Sequence, residues 1–444
     1  MKKKTKRRLV FLGLIGVGLT LASCSITKMA KVPAGYKAKV ACSEIFLAGR
    51  NADDVLNTNF DNISPTFDWV EPKINLTEKT VETRMLGFGK SRAVYREGVG
   101  CSLVGKNGLS SVNIPPTNIR DPHIYDVAIN ERVQTAIGDL FDDSELPNPI
   151  RTRGMVVIQN GQIIAEQYKT GFDKDTRQQS WSTAKGITQA LIGIAVRDGH
   201  LSIDDKSLFP NWASDDGRAD ITIGHFLHMA SGLEFNESYA NPNSHVDQML
   251  FNQEDMGKYA ASRKLVNTPG TTSRYSSGTT NILSRILRNQ LESNGVNYHI
   301  FPKTELFDKI SMTSAVFEVD ASGTFIGSSY VYATPRDFAR FGQLYLQNGN
   351  WNGEQILPPD WVNYTGQPAP GSGGQYGSHW SLNLNQTVMP GLPEDVLHLG
   401  GNDGQMILVI PSKNVVIVRL GVTRHPANLA NDVYPLIRAV YEVL

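Results

Sequence analysis

The 444-residue sequence has no G-x-S-x-G elbow, no net charge, only three cysteines and no apolar run long enough to span a bilayer. Each gap closes off a reading. Without G-x-S-x-G, a serine on the usual strand-to-helix elbow, activated by histidine, is not expected. The zero net charge hides an uneven distribution: residues 1–23 carry Lys2, Lys3, Lys4, Lys6, Arg7 and Arg8 and no acid, leaving 37 bases against 43 acids. A mildly acidic remainder argues against a nucleic-acid partner. Repeats and low-complexity stretches are also missing, and the composition, 40% apolar and 19% charged, is that of a globular protein. His225 and His228 in "GHFLHMASG" stand three apart, but no further ligand with zinc-type spacing accompanies them, so no metal and no cofactor is expected.

What is present begins with "LVFLGLIGVGLTLASC" behind the six cations, a pattern that reads as a secretory signal. Its apolar run, Leu9 to Leu21, is short for a spanning helix. "LASC" resembles the bacterial lipobox, which implies acylation of Cys24 after removal of residues 1–23. Ser25 follows where a retention aspartate would otherwise stand, so the resemblance implies an exported lipoprotein of the outer membrane, facing the periplasm or the cell surface and held to the membrane by its lipid. Export bears on Cys42 and Cys101: an oxidising compartment lets them pair, closing a loop of about 60 residues and adding ~4 kcal/mol in the chain-entropy picture. Two separate thiols are the alternative.

Residues 25–35, "SITKMAKVPAG", have little periodicity and read as a tether, and residues 36–122 as an irregular segment lying on the main domain. The expected division is thus 1–23 signal peptide, 24–123 tether and extension, and 124–444 main domain. From Ile124 the texture changes. Val127, Val133, Ile137 and Leu140 have helical spacing. "GMVVIQNGQIIAEQY" is a hairpin around Asn160-Gly161. The middle is mostly helical, and "HWSLNL", "DVLHLGG", "GQMILVIP" and "NVVIVRLG" bring strands back before a last helix containing Pro435. The economical arrangement is an α+β fold: an antiparallel sheet built from both chain ends, flanked by N- and C-terminal helices, with a helical lobe between.

"QQSWSTAKGITQALIGIAVRDG" holds the chemistry. Ile187, Ala190, Leu191, Ile194, Ala195 and Val196 leave little helix surface for water, so the helix is buried. Lys185 lies inside it, one turn after Ser182 and on the same face. Serine is a weak nucleophile until a base takes its proton. Burial can lower a lysine pKa by up to ~3–5 units and so convert an ammonium into a base. Ser182 at the helix start also gains from the positive end of the helix dipole. Two look-alikes lack this context: Ser25 to Lys28 in the tether, and Lys169-Thr170-Gly171, which precedes the serine and ends a hairpin strand.

With "ITIGHFLHMASGLEF", this stretch resembles the serine β-lactamase and penicillin-binding-protein superfamily, from about residue 125 to the end. Tyr275-Ser276-Ser277 fills that family's second motif and His398-Leu399-Gly400 its third. "LEFNESYANPNSHV" is similar to nylon-oligomer (aminohexanoate-dimer) hydrolases, where the tyrosine at Tyr239 contacts the substrate amide, and the leading segment resembles the front of related exported serine hydrolases. The resemblance implies that Ser182 attacks a carbonyl and Lys185 takes its proton directly or through Tyr275. Tyr275 then protonates the leaving group, and Ser277 completes the cluster. It further implies an oxyanion site from the N–H of Ser182 and one in Gly400-Gly401, with His398 and Tyr239 facing the substrate.

The expected function is a serine hydrolase of small amide, ester or peptidoglycan-like substrates. Histidine at 398 and serine at 277, where many β-lactamases have lysine and asparagine, weaken the case for a lactamase. A penicillin-recognising D,D-peptidase or β-lactamase remains the alternative, as does a catalytically silent surface lipoprotein that binds without turnover.

Overall fold

A hairpin of Thr152–Gln159 and Gln162–Tyr168 forms around Asn160 and Gly161, both at positive φ (52° and 79°), as a two-residue turn with the twist of its strands requires. The computed structural model describes residues 27–444 apart from 28, 113, 115–124, 144–148, 213–215, 240 and 425. The signal peptide, Cys24 and Ser25 fall outside the described residues. Along the chain the main strands are β1 (Val70–Asn75), β2 (Thr80–Met85), β3 (Phe88–Arg96), β4 (Gly100–Leu103), the hairpin pair β5 and β6 just given, β7 (Ser381–Leu382), β8 (Leu397–Gly401), β9 (Gln405–Ile410) and β10 (Val415–Gly421). The principal helices are α1 (residues 29–42), α2 (Glu131–Gly138), α3 (Ala184–Arg197), α4 (His245–Asn252), α5 (Ser277–Ser293), α6 (Pro335–Leu346) and α7 (Tyr434–Glu442).

The central sheet has the order β7-β8-β9-β10-β5-β6, antiparallel throughout, so both ends of the main domain supply it as expected. Side-chain alternation divides it into two faces. Val415 and Ile417 pack with Val133, Ile137, Ile437 and Val440 of α2 and α7. Val416 and Val418 join the larger core that contains α3, α5 and α6. All residues of α3 from Ala184 to Ala195 are buried, in keeping with its all-round apolar sequence.

Two expectations fail in the extension. Residues 29–35 are not a tether: they belong to α1, with Ala30, Val32 and Ala34 buried. Residues 70–103 are not irregular but a four-stranded antiparallel meander, β1-β2-β3-β4. In β3 the inward positions are Gly89, Ser91 and Ala93, too small or polar for a hydrophobic alternation to show. Cys42 at the end of α1 and Cys101 in β4 are disulfide-bonded. Cys42, Val81, Ala93 and Cys101 lie in the same core as α3, so the extension has no separate interior.

Candidate active site

Ser182 occupies a 3-10 turn, Trp181–Thr183, that runs straight into α3. The turn is pinned from behind: Ser180 N donates to Val331 O at 2.8 Å, and Val331 N donates to Ser180 Oγ at 3.0 Å. Trp181, just before the serine, has φ of 45°, a left-handed conformation costing about 1–3 kcal/mol for such a residue. Its ring is held between Tyr36 of α1 and Tyr330, with centroids at 5.9 and 5.7 Å. Packing therefore fixes the backbone that presents Ser182.

Lys185 is 1% exposed. Its Nζ lies 2.9 Å from Ser182 Oγ, 3.1 Å from Ser277 Oγ and 3.0 Å from Ser328 O. Asn281, one turn into α5, fixes Ser328 through a 3.0 Å bond from Nδ2 to Ser328 Oγ. The Tyr275 ring caps the amine, its centroid 4.7 Å from Nζ. Tyr275 is 38% exposed and meets Tyr376 edge-on. Ser182, Lys185, Tyr275 and Ser277 thus converge, from segments 92 residues apart.

The motif reading misses Glu237. Its carboxylate accepts from Ser277 N at 2.9 Å, from the Ser277 hydroxyl, and from Tyr239 OH at 3.0 Å. Tyr239 OH also lies 3.4 Å from Ser277 Oγ, while 39% of that tyrosine's surface remains exposed. Desolvation around the hydroxyl, then the Glu237 charge, push the Tyr239 pKa well above its usual value, so it stays a neutral donor. "NES" contains the signal, an acid two residues before Tyr239, but nothing in the spacing shows that it meets Ser277.

β8 passes the Trp181–Thr183 turn so closely that a Cβ on Gly401 would come within 2.7 Å of Ser180 O. Gly401 therefore brings the backbone of β8 against the turn that carries Ser182. His398 does not face the substrate as expected. Leu399 points toward Gly186 of α3, and the alternation turns His398 to the opposite face, where its buried ring meets Tyr434 of α7 edge-on. Burial pushes its imidazole down to about 4. His225 caps its own helix, accepting from Thr222 N at 3.2 Å, and His228 contacts Gly224 O and Tyr364. Among the described residues no group of three or more His, Cys, Asp or Glu could hold a metal ion. Lys169 pairs with Asp143 at 3.6 Å, beyond the end of β6.

Residues 148–442 match the family model described as Beta-lactamase. A 6-aminohexanoate-dimer hydrolase of Paenarthrobacter ureafaciens is 24% identical over 225 residues, which are 48% of this chain and 56% of that protein. The alignment thus spans little more than half the length of this relative. A Bacillus anthracis structure assigned to the same hydrolase class is 21% identical and has a TM-score of 0.57, covering 73% of this chain and 88% of its own. A family VIII carboxylesterase is 13% identical with a TM-score of 0.57, covering 73% and 100%. A penicillin-binding-protein homolog from Caulobacter crescentus is 15% identical with a TM-score of 0.54, also covering 73% and 100%. At these identities the structural likenesses establish the fold.

Proposed function

The chain belongs to the Beta-lactamase family, and from that premise we propose that it is a serine hydrolase opening an amide or ester bond through an acyl-enzyme on Ser182. One observation carries the reading: the buried Lys185 Nζ stands 2.9 Å from Ser182 Oγ. The contact is short enough for direct proton transfer. Lys185 takes the Ser182 proton as Oγ bonds to the carbonyl carbon, and the carbonyl oxygen becomes an oxyanion. The N–H of Ser182 and one from Gly400-Gly401 would stabilise that charge, each donor being worth about 3–4 kcal/mol. Collapse breaks the C–N or C–O bond, and the proton returns to the leaving group from Lys185 or through Tyr275. Water then cleaves the acyl-enzyme along the same path. The relative named for 6-aminohexanoate-dimer hydrolysis supports a linear amide as one candidate substrate.

A fluorophosphonate probe followed by mass spectrometry tests this. Labelling at Ser182 that disappears in Ser182→Ala is expected. Folded protein that resists several acylating reagents would instead support a silent binding module.

Cys24 we propose as the lipid-bearing residue of an exported, outer-membrane protein. The Cys42–Cys101 bond suits an oxidising compartment. Palmitate labelling lost in Cys24→Ser is the expected result.

A further inference from the structure

A cavity of about 370 Å³ opens beside Trp181, the residue before Ser182, and its walls come from two parts of the chain. Trp181, Tyr239 and Asp247 line it from the catalytic side. Tyr36 of α1, with Ile63 and with Phe67 from the 3-10 turn before β1, line it from the extension. The two sides are packed as one body. The Tyr36 ring lies 5.1 Å from Phe67 and 5.0 Å from Phe251 of α4, as well as against Trp181. Lys37 Nζ donates to Phe67 O and Val70 O at 3.1 and 3.0 Å, and Arg424 Nη1 donates to Asn59 O and Asp61 O at 2.9 and 3.0 Å.

We propose that this extension completes the substrate site, closing a cavity that takes an uncharged apolar arm of the amide or ester and disfavours an arm ending in a carboxylate. The inference rests on the hydrolase reading of Ser182. Three features carry it. The cavity borders the catalytic cluster, since it is lined by Trp181, next to Ser182 in the chain, and by Tyr239, whose hydroxyl stands 3.4 Å from Ser277 Oγ. Its size is at the small end of the roughly 300–1,000 Å³ of ligand pockets, and its aromatic walls suit a single ring or a medium alkyl chain. Its charge is one-sided. Arg424 is already engaged by Asp403, through bonds of 2.8 and 2.7 Å, so its charge is matched within the protein. Asp247, which accepts from Asn241 N at 2.9 Å, then faces the cavity, and burial pushes its carboxyl up to about 7. Ionised above that pH, Asp247 would oppose a substrate carboxylate with like charge in a desolvated space.

The test compares kcat/KM for p-nitrophenyl acetate, p-nitrophenyl heptanoate and the p-nitrophenyl half-ester of heptanedioate, with methyl and hexyl acetate covering the alcohol side. Wild type should favour the longer chain in at least one series by about tenfold or more, the scale of added methylenes in an apolar pocket. Heptanoate should exceed the half-ester by a similar factor. Ile63→Trp, which fills the cavity from the extension, should lower the long-to-short ratio by about tenfold. Above pH 7, where Asp247 is ionised, Asp247→Asn should raise half-ester turnover relative to heptanoate. Acetate turnover with no chain preference in either series, or ratios unmoved by both variants, would overturn the proposal while leaving the hydrolase reading intact. No turnover of any ester together with no label on Ser182 would overturn both.

Discussion

Glu237 holds Ser277 at both its backbone N–H and its hydroxyl. That hydroxyl in turn accepts from Lys185 Nζ at 3.1 Å. A carboxylate therefore lies two hydrogen bonds from the amine proposed as base, and orients the group that orients it. Glu237→Gln keeps the size and removes the charge. A hydrogen bond to a charged group is worth about 1.5–3 kcal/mol, so kcat/KM should fall by about ten- to a hundredfold. The loss should fall on kcat rather than KM, with Glu237→Asp recovering part of it. Unchanged kcat in the glutamine variant would reduce Glu237 to a loop-holding role.

Lys185→Arg separates charge from basicity. Arginine keeps the cation but does not give up its proton near neutral pH. If the amine is the base, the variant should lose about 10²–10⁴-fold in kcat. Because guanidinium is larger than the buried site it enters, Lys185→Met serves as the companion: both should be comparably inactive while circular dichroism stays native. Wild-type turnover in either would move the base role to another group.

The extension is tied down by a buried pair. Lys39 of α1 bonds to Glu318, which also accepts from Ser43 Oγ at 2.8 Å and Cys101 N at 2.6 Å, and the Tyr330 ring centroid lies 4.1 Å from the Lys39 amine. Removing one partner leaves a buried charge, which typically costs about 3–5 kcal/mol. Glu318→Leu should therefore lower stability strongly in urea, and Lys39→Met added to it should return a large part. Simple addition of the two single losses would mean that the pair is not coupled.

Ser182 and Lys185 are legible in the sequence because their partnership is local, one helical turn. The Asn160-Gly161 hairpin and the C-terminal strands are legible for the same reason, since turn chemistry and runs such as "MILVI" act over a few residues. α1 is hidden because Pro33 and Gly35 look like breakers and its buried residues include four small alanines, Ala30, Ala34, Ala38 and Ala41. The meander is hidden by its small inward residues. Glu237 is a long-range fact: it meets Ser277 forty residues later. His398 is misread because a tripeptide match carries no facing. Only the packing of Leu399 on Gly186 and of His398 on Tyr434 decides which side of β8 looks at the substrate.

That facing has a thermodynamic consequence. Among the described residues neither ring nitrogen of His398 has a hydrogen-bond partner, although the side chain is buried. An unsatisfied buried polar group costs about 1–3 kcal/mol, so His398→Phe, similar in shape, should stabilise the fold at pH 8 by about 1 kcal/mol. The pH dependence has a definite sign. Burial holds the folded imidazole down to about 4, from a usual 6.5. Between those values the unfolded chain binds a proton that the folded chain does not, so the histidine's contribution is intact above pH 6.5 and is lost as pH falls toward 4. The variant lacks that loss. Its advantage should therefore grow by about 2 kcal/mol between pH 8 and pH 5, at 1.36 kcal/mol per pH unit below the unfolded value. Thermal unfolding of both proteins across this range measures it directly. Ester turnover should stay at the wild-type level, because the ring lies on the far side of β8 from Ser182. A variant that is folded yet inactive would return His398 to the substrate side.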